Sequence, residues 1–74
     1  MPNLTLTEAQ EIVRAKYPDA WARWHKYGQR FIICYKVRQN TNYRIFDVSE
    51  YRETEHDAWL SAAERIKKQE NENI

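Results

Sequence analysis

Apolar and polar positions follow two different periods along this chain, and the switches between them divide it into five elements. Leu6, Ala9, Ile12, Val13 and Tyr17 recur at three-and-four spacing. That spacing lays one apolar stripe along a helix, with Glu8, Glu11, Arg14 and Lys16 mainly on the wet side. Thr5 with Glu8 and Thr7 with Gln10 offer two overlapping capping boxes at its start. Pro18 disfavours helical geometry at Tyr17 and ends it. From Asp19 to Tyr27 large side chains alternate with small or polar ones, the period of a strand. A helical reading of Ala20 to Lys26 also suits the residue types, but Pro18 and Gly28 would leave it fewer than three turns. Gly28-Gln29 carries the only glycine of the chain, where a tight hairpin turn would use it.

Arg30 to Arg38, Arg-Phe-Ile-Ile-Cys-Tyr-Lys-Val-Arg, is the densest run of β-branched and aromatic residues and is expected to be the central strand, ending near Val37. The polar stretch Arg38 to Asn42 then connects to a third strand, Tyr43 to Val48. Ser49 to Glu53 is a charged connection. Thr54, Glu55 and Asp57 place a cap and two acids at the positive end of a second helix. On that helix Trp59, Ala62, Ala63 and Ile66 share one face, with Ala58 beside it and Leu60 pointing elsewhere. After Lys67 no apolar period remains, so residues 68–74 are expected to fray. The predicted fold is α+β, a single domain over residues 1–74: a three-stranded antiparallel meander with the N- and C-terminal helices on one face.

A pairing register sorts the meander into two faces, because side chains alternate across a strand. With Tyr27 opposite Arg30, and a five-residue loop setting Val37 opposite Tyr43, one face carries Ala20, Ala22, Trp24, Phe31, Ile33, Tyr35, Val37, Tyr43 and Ile45. This face is expected to take the helices, its alanines leaving room for Trp59 and Tyr17. The other carries Trp21, Arg23, His25, Ile32, Cys34, Lys36, Arg44, Phe46 and Val48. It would expose an apolar band of Ile32, Cys34 and Phe46 rimmed by Arg23, His25, Lys36 and Arg44, the kind of patch that marks a contact site. A one-residue slip would exchange the two faces.

Composition changes this picture little. The 74 residues are 42% hydrophobic and 14% aromatic, enough for a packed core, although one so short that every large apolar side chain counts. The formal charge of +1 provides no global attraction to nucleic acid or anionic membrane. A single cysteine cannot make an internal disulfide, which leans towards a reducing compartment. No apolar run approaches the ~20 residues of a membrane span, and the first residues lack a signal peptide's basic and apolar regions, so a cytoplasmic protein is expected.

Candidate chemistry is sparse. Cys34 lies mid-strand, where free cysteine packs as a small hydrophobe. His25 and His56 fall in different elements, without paired metal-ligand spacing, so no metal or cofactor is expected. Asp47, Glu50, Glu53, Glu55 and Asp57 are carboxylates without oxyanion donors or a phosphate cradle nearby, and no catalytic residue is assigned. Basic and aromatic residues interleave around the first hairpin, from Trp21, Arg23 and Trp24 through His25, Lys26 and Tyr27 to Arg30. Such interleaving suits stacking on bases beside phosphate contacts.

The order helix, three strands, helix resembles that of double-stranded RNA binding domains, as topology alone. Such domains carry a basic start to the second helix that meets phosphates. Here the matching stretch is Thr54-Glu55-His56-Asp57-Ala58-Trp59, which is acidic, so the resemblance transfers no RNA-binding residue. The expected function is a non-enzymatic interaction module. It would dock on another protein, or on a second copy as a homodimer, through the open face or a strand edge, with Trp21, Arg23, His25, Ile32, Lys36, Arg44 and Phe46 as the contact residues. The alternative is a nucleic-acid-binding domain using the first hairpin.

Overall fold

The computed structural model describes residues 4–72. Its order is α1 (Leu6–Lys16), β1 (Trp21–His25), β2 (Arg30–Gln39), β3 (Asn42–Asp47) and α2 (Glu55–Glu72). This is the α-β-β-β-α order of double-stranded RNA binding domains. The strands form one antiparallel sheet in the order β1-β2-β3.

Local chemistry starts both helices. At α1 the Thr5 hydroxyl accepts from the Glu8 N–H while the Glu8 carboxylate accepts from the Thr5 N–H, completing one of the two expected capping boxes. These two bonds hold the Glu8 carboxyl below its ordinary pKa. At α2 the Thr54 hydroxyl accepts from the Asp57 N–H at 3.1 Å. His56 Nε2 donates to the Leu4 carbonyl at one end of the helix pair, and Lys16 Nζ donates to Gln69 at the other, so the helices run side by side in the same direction.

Small residues set the spacing of the layers. Ala9 and Val13 of α1 and Ala58, Ala62 and Ala63 of α2 are fully buried, which lets the helices approach closely around Trp59 and Ile66. Both helices lie on one side of the sheet. There α2 packs on β2 and β1, α1 rides mainly on α2, and Tyr17 stacks on Tyr35 with ring centroids 4.1 Å apart. Ala20, Ile33 and Val48 complete the core from below.

The hairpins depart from the expected registers. In the first, His25 pairs with Arg30, two residues away from the expected partner Tyr27. Residues 26–29 form the loop, and Gln29, at φ 49°, takes the left-handed conformation that Gly28 was expected to supply. A two-residue shift preserves which face each side chain occupies, so the assignment of β1 and β2 to their faces stands. Trp24 nevertheless is not core: it is half exposed, tilted against Phe31 where neither helix covers it.

In the second hairpin the loop is two residues, Asn40 and Thr41, not five. Asn40 takes φ 56° at the first loop position, which asparagine tolerates and tight hairpins require. Val37 therefore pairs with Arg44 instead of Tyr43, and this odd shift exchanges the faces of β3. Arg44, Phe46 and Val48, expected on the open face, lie on the helix side, where Phe46 stacks on Tyr35 at 5.3 Å and Val48 is buried. Tyr43 and Ile45 move to the open face.

The third strand leads into a stitched connection. Val48 N–H donates to the Ile33 carbonyl, and Arg52 then exchanges both backbone hydrogen bonds with Phe31, so Ser49, Glu50 and Tyr51 bulge past Ile32. The bulge leaves Ile33 N–H without a strand partner, and the buried Ser49 hydroxyl accepts it at 2.8 Å. Ser61 on α2 accepts from Glu50 N–H and ties the same segment to the helix. At the other end, α2 continues past Lys67 to Glu72. Residues 73 and 74, the end of the expected frayed tail, lie outside the described residues.

Candidate interaction surface

Five of the seven expected contact residues share the open face of the sheet: Trp21, Arg23 and His25 on β1, and Ile32 and Lys36 on β2. Arg44 and Phe46 lie on the opposite face for the reason given above. The guanidinium of Arg44 sits over the Phe46 ring at 5.8 Å, so the two form one unit at the helix-side margin of β3. The expected apolar band of Ile32 and Cys34 is not exposed. Both side chains are buried, Cys34 between Trp21 on β1 and Asp47 on β3, and Ile32 beside Arg23 and the Ser49–Tyr51 bulge.

What the open face does present is aromatic and cationic. Lys36 Nζ lies 5.9 Å from the Trp21 ring and 5.3 Å from the Tyr43 ring, bridging β1 and β3 across the central strand. His25 meets Tyr51 edge-on at 5.4 Å, and its Nδ1 accepts from Gly28 N–H, which gives it a structural part in the hairpin. Tyr43 is 60% exposed and Ile45 49%. The pairing pattern missed both, because a five-residue loop had turned them inward. The positive-φ tolerance of Asn40 was the signal that would have placed them.

The edge of β3 continues this surface. All six of its residues are exposed, and the strand packs on no element other than β2. Val48 N–H points to β2, so by alternation Arg44 and Phe46 also turn their backbone groups inward. Tyr43, Ile45 and Asp47 turn theirs outward, unpaired. Between Asn42 and Asp47 the strand has no lysine, proline or bulge to blunt that edge, and its only charges are Arg44 and Asp47.

Cys34 has been drawn out of reach of chemistry. Burial, helped by a hydrogen bond from its Sγ to Asp47 Oδ1 at 3.3 Å and by the Asp47 charge, pushes the thiol up to about 12 from 9.0. The folded state thus favours the neutral thiol. Its stabilising share is complete below about pH 9 and declines as pH rises towards about 12. Native protein at pH 8 should react with a disulfide reagent only as fast as it unfolds. Immediate stoichiometric labelling would show that Cys34 is accessible. Two of the carboxylates near α2 have structural partners: Glu50 pairs with Arg52 at 2.7 Å, and Glu55 accepts from Trp59 Nε1 at 3.2 Å.

Among the described residues, no cluster of three or more potential metal ligands forms and no helix is long and apolar enough to cross a membrane. Comparison of the chain with protein families, with curated proteins and with solved structures finds no match in any of the three.

Proposed function

We propose that this chain is a non-enzymatic interaction module that docks through the outer edge of β3 and the open-face side chains beside it. The observation that carries this reading is the state of β3: an edge strand exposed along its whole length, with unpaired outward amides and with Tyr43 and Ile45 in water. A partner strand laid along that edge would gain main-chain hydrogen bonds, while Tyr43, Ile45 and Phe46 would provide the apolar contact.

One observation favours a second reading. Tyr27 is 94% exposed and Trp24 51%, with Arg23, His25, Lys26 and Arg30 exposed around them, so the first hairpin offers two exposed aromatic rings among cations to a nucleic acid.

Affinity capture from the native cell separates the two. The docking reading expects a protein partner that survives nuclease and raised salt and is lost with Ile45→Lys while Trp24→Ala retains it. Recovery of nucleic acid, lost with Trp24→Ala and with modest added salt, would reject it in favour of the hairpin.

A further inference from the structure

Resting on the docking reading, we propose that the occupant of the β3 edge is a second copy of this chain, paired antiparallel about a two-fold axis through Ile45 to make a continuous six-stranded sheet. The argument is one of register. In a two-fold strand pair, opposed residues lie on the same face, so only registers that oppose residues of like parity are allowed. Among these, the register centred on Ile45 opposes Tyr43 to the partner's Asp47 and Ile45 to the partner's Ile45. It matches all three outward-facing residues of each copy, giving a six-bond ladder.

Side chains choose the same register. On the helix side it sets Arg44 beside the partner's Phe46, extending a contact that Arg44 already makes within its own chain. On the open face Ile45 meets its copy, and the Tyr43 phenol faces the partner's Asp47 carboxylate. Moving the axis to Arg44 would oppose Arg44 to the partner's Arg44. Moving it to Phe46 would set Ile45 against the partner's Asp47. Because α2 packs on β2 and β1 and neither helix packs on β3, the helical layers of two copies stay clear of the axis. The β1 edge is a poorer template. It turns only Ala22 and Trp24 outward, and α2 packs against that strand.

Sedimentation of the purified full chain through a dilution series from millimolar to micromolar is expected to show a reversible species of twice the 9.0 kDa chain mass. Ile45→Lys, which opposes two ammonium groups at the axis, should raise the dissociation constant by about tenfold or more. Ile45→Cys provides a readout independent of that variant's folding. Residues opposed at the axis have Cα atoms about 5.5 Å apart, within the range of about 4.4–6.8 Å that a disulfide spans. Mild oxidation should therefore link two Ile45→Cys chains. Tyr43→Cys chains should stay single, since that register holds the two copies of position 43 about 14 Å apart. The wild type, whose Cys34 is buried, should also stay single.

A monomer at every concentration would overturn the proposal, as would a dimer indifferent to Ile45→Lys or one cross-linked through position 43 instead of 45. If the chain is monomeric while Ile45→Lys still abolishes capture of a cellular protein, the second-copy proposal falls and the docking reading stands.

Discussion

Trp59→Ala is expected to lower stability by about 3–5 kcal/mol, enough to leave much of so small a domain unfolded at ambient temperature. Trp59 is the largest fully buried side chain among the described residues, 1% exposed, and three kinds of contact meet on it. Its apolar bulk fills the space that Ala9, Ala62 and Ala63 leave between α1, α2 and the sheet. Its Nε1 donates to Glu55 one helical turn back, and the Arg14 guanidinium of α1 lies 5.1 Å from the ring centroid. Alanine would remove all three, and its neighbours are already alanines that cannot reach across the cavity. In a thermal melt the midpoint should fall by more than about 12 °C, given the ~4–8 °C per kcal/mol typical of this size. Trp59→Phe, which keeps most of the volume and an aromatic face for Arg14 but loses the Nε1 hydrogen bond to Glu55, should fall in between. A shift of only a degree or two for alanine would contradict the placement of α2.

Ser49→Ala is expected to cost about 1–3 kcal/mol, a large effect for the loss of one oxygen. The bulge that carries the chain from β3 to Arg52 takes Ile33 N–H out of the strand ladder at the centre of the sheet. The Ser49 hydroxyl supplies it with an acceptor and itself donates to the Glu50 carbonyl at 3.0 Å. Alanine would leave a buried donor unpaired. Ser61→Ala, by contrast, releases Glu50 N–H, and Glu50 is exposed, so water can take over the bond and the loss should be smaller. Equal effects of the two substitutions in urea titrations would mean that the Ile33 amide finds another partner.

Which features were legible in the sequence follows from how local their causes are. The caps at Thr5 and Thr54 and the stripe through Trp59, Ala62, Ala63 and Ile66 depend on residues within a turn or two of each other, and they form as the spacing predicts. The faces of β1 and β2 also follow, because an error of two residues in the first hairpin leaves parity intact. The faces of β3 do not. Its parity hangs on whether the second loop has an even or odd number of residues, and that is decided by the backbone of Asn40, which pattern alone does not reveal. The better side-chain pairing was nonetheless present: the observed register sets Phe46 against Tyr35 and Val48 in the core beside Ile33. Ser49 and Ser61 were missed for a different reason. Their hydroxyls serve amides that become orphaned only through a bulge, a tertiary event with no local sequence sign. The continuation of α2 to Glu72 is similar, since Lys16 at the end of α1 reaches Gln69 across the helix pair.

The central claim is that the outer edge of β3 pairs with the same edge of a second copy, and amide hydrogen exchange of the purified chain at low and high concentration tests it most directly. At high dilution the Tyr43, Ile45 and Asp47 amides should exchange freely while those of Arg44 and Phe46, turned towards β2, are protected. As concentration rises, protection should appear at Tyr43, Ile45 and Asp47 together and leave Arg44 and Phe46 little changed. Protection that instead appears at Ala22 and Trp24, or an edge of β3 that exchanges freely at every concentration, would contradict the account.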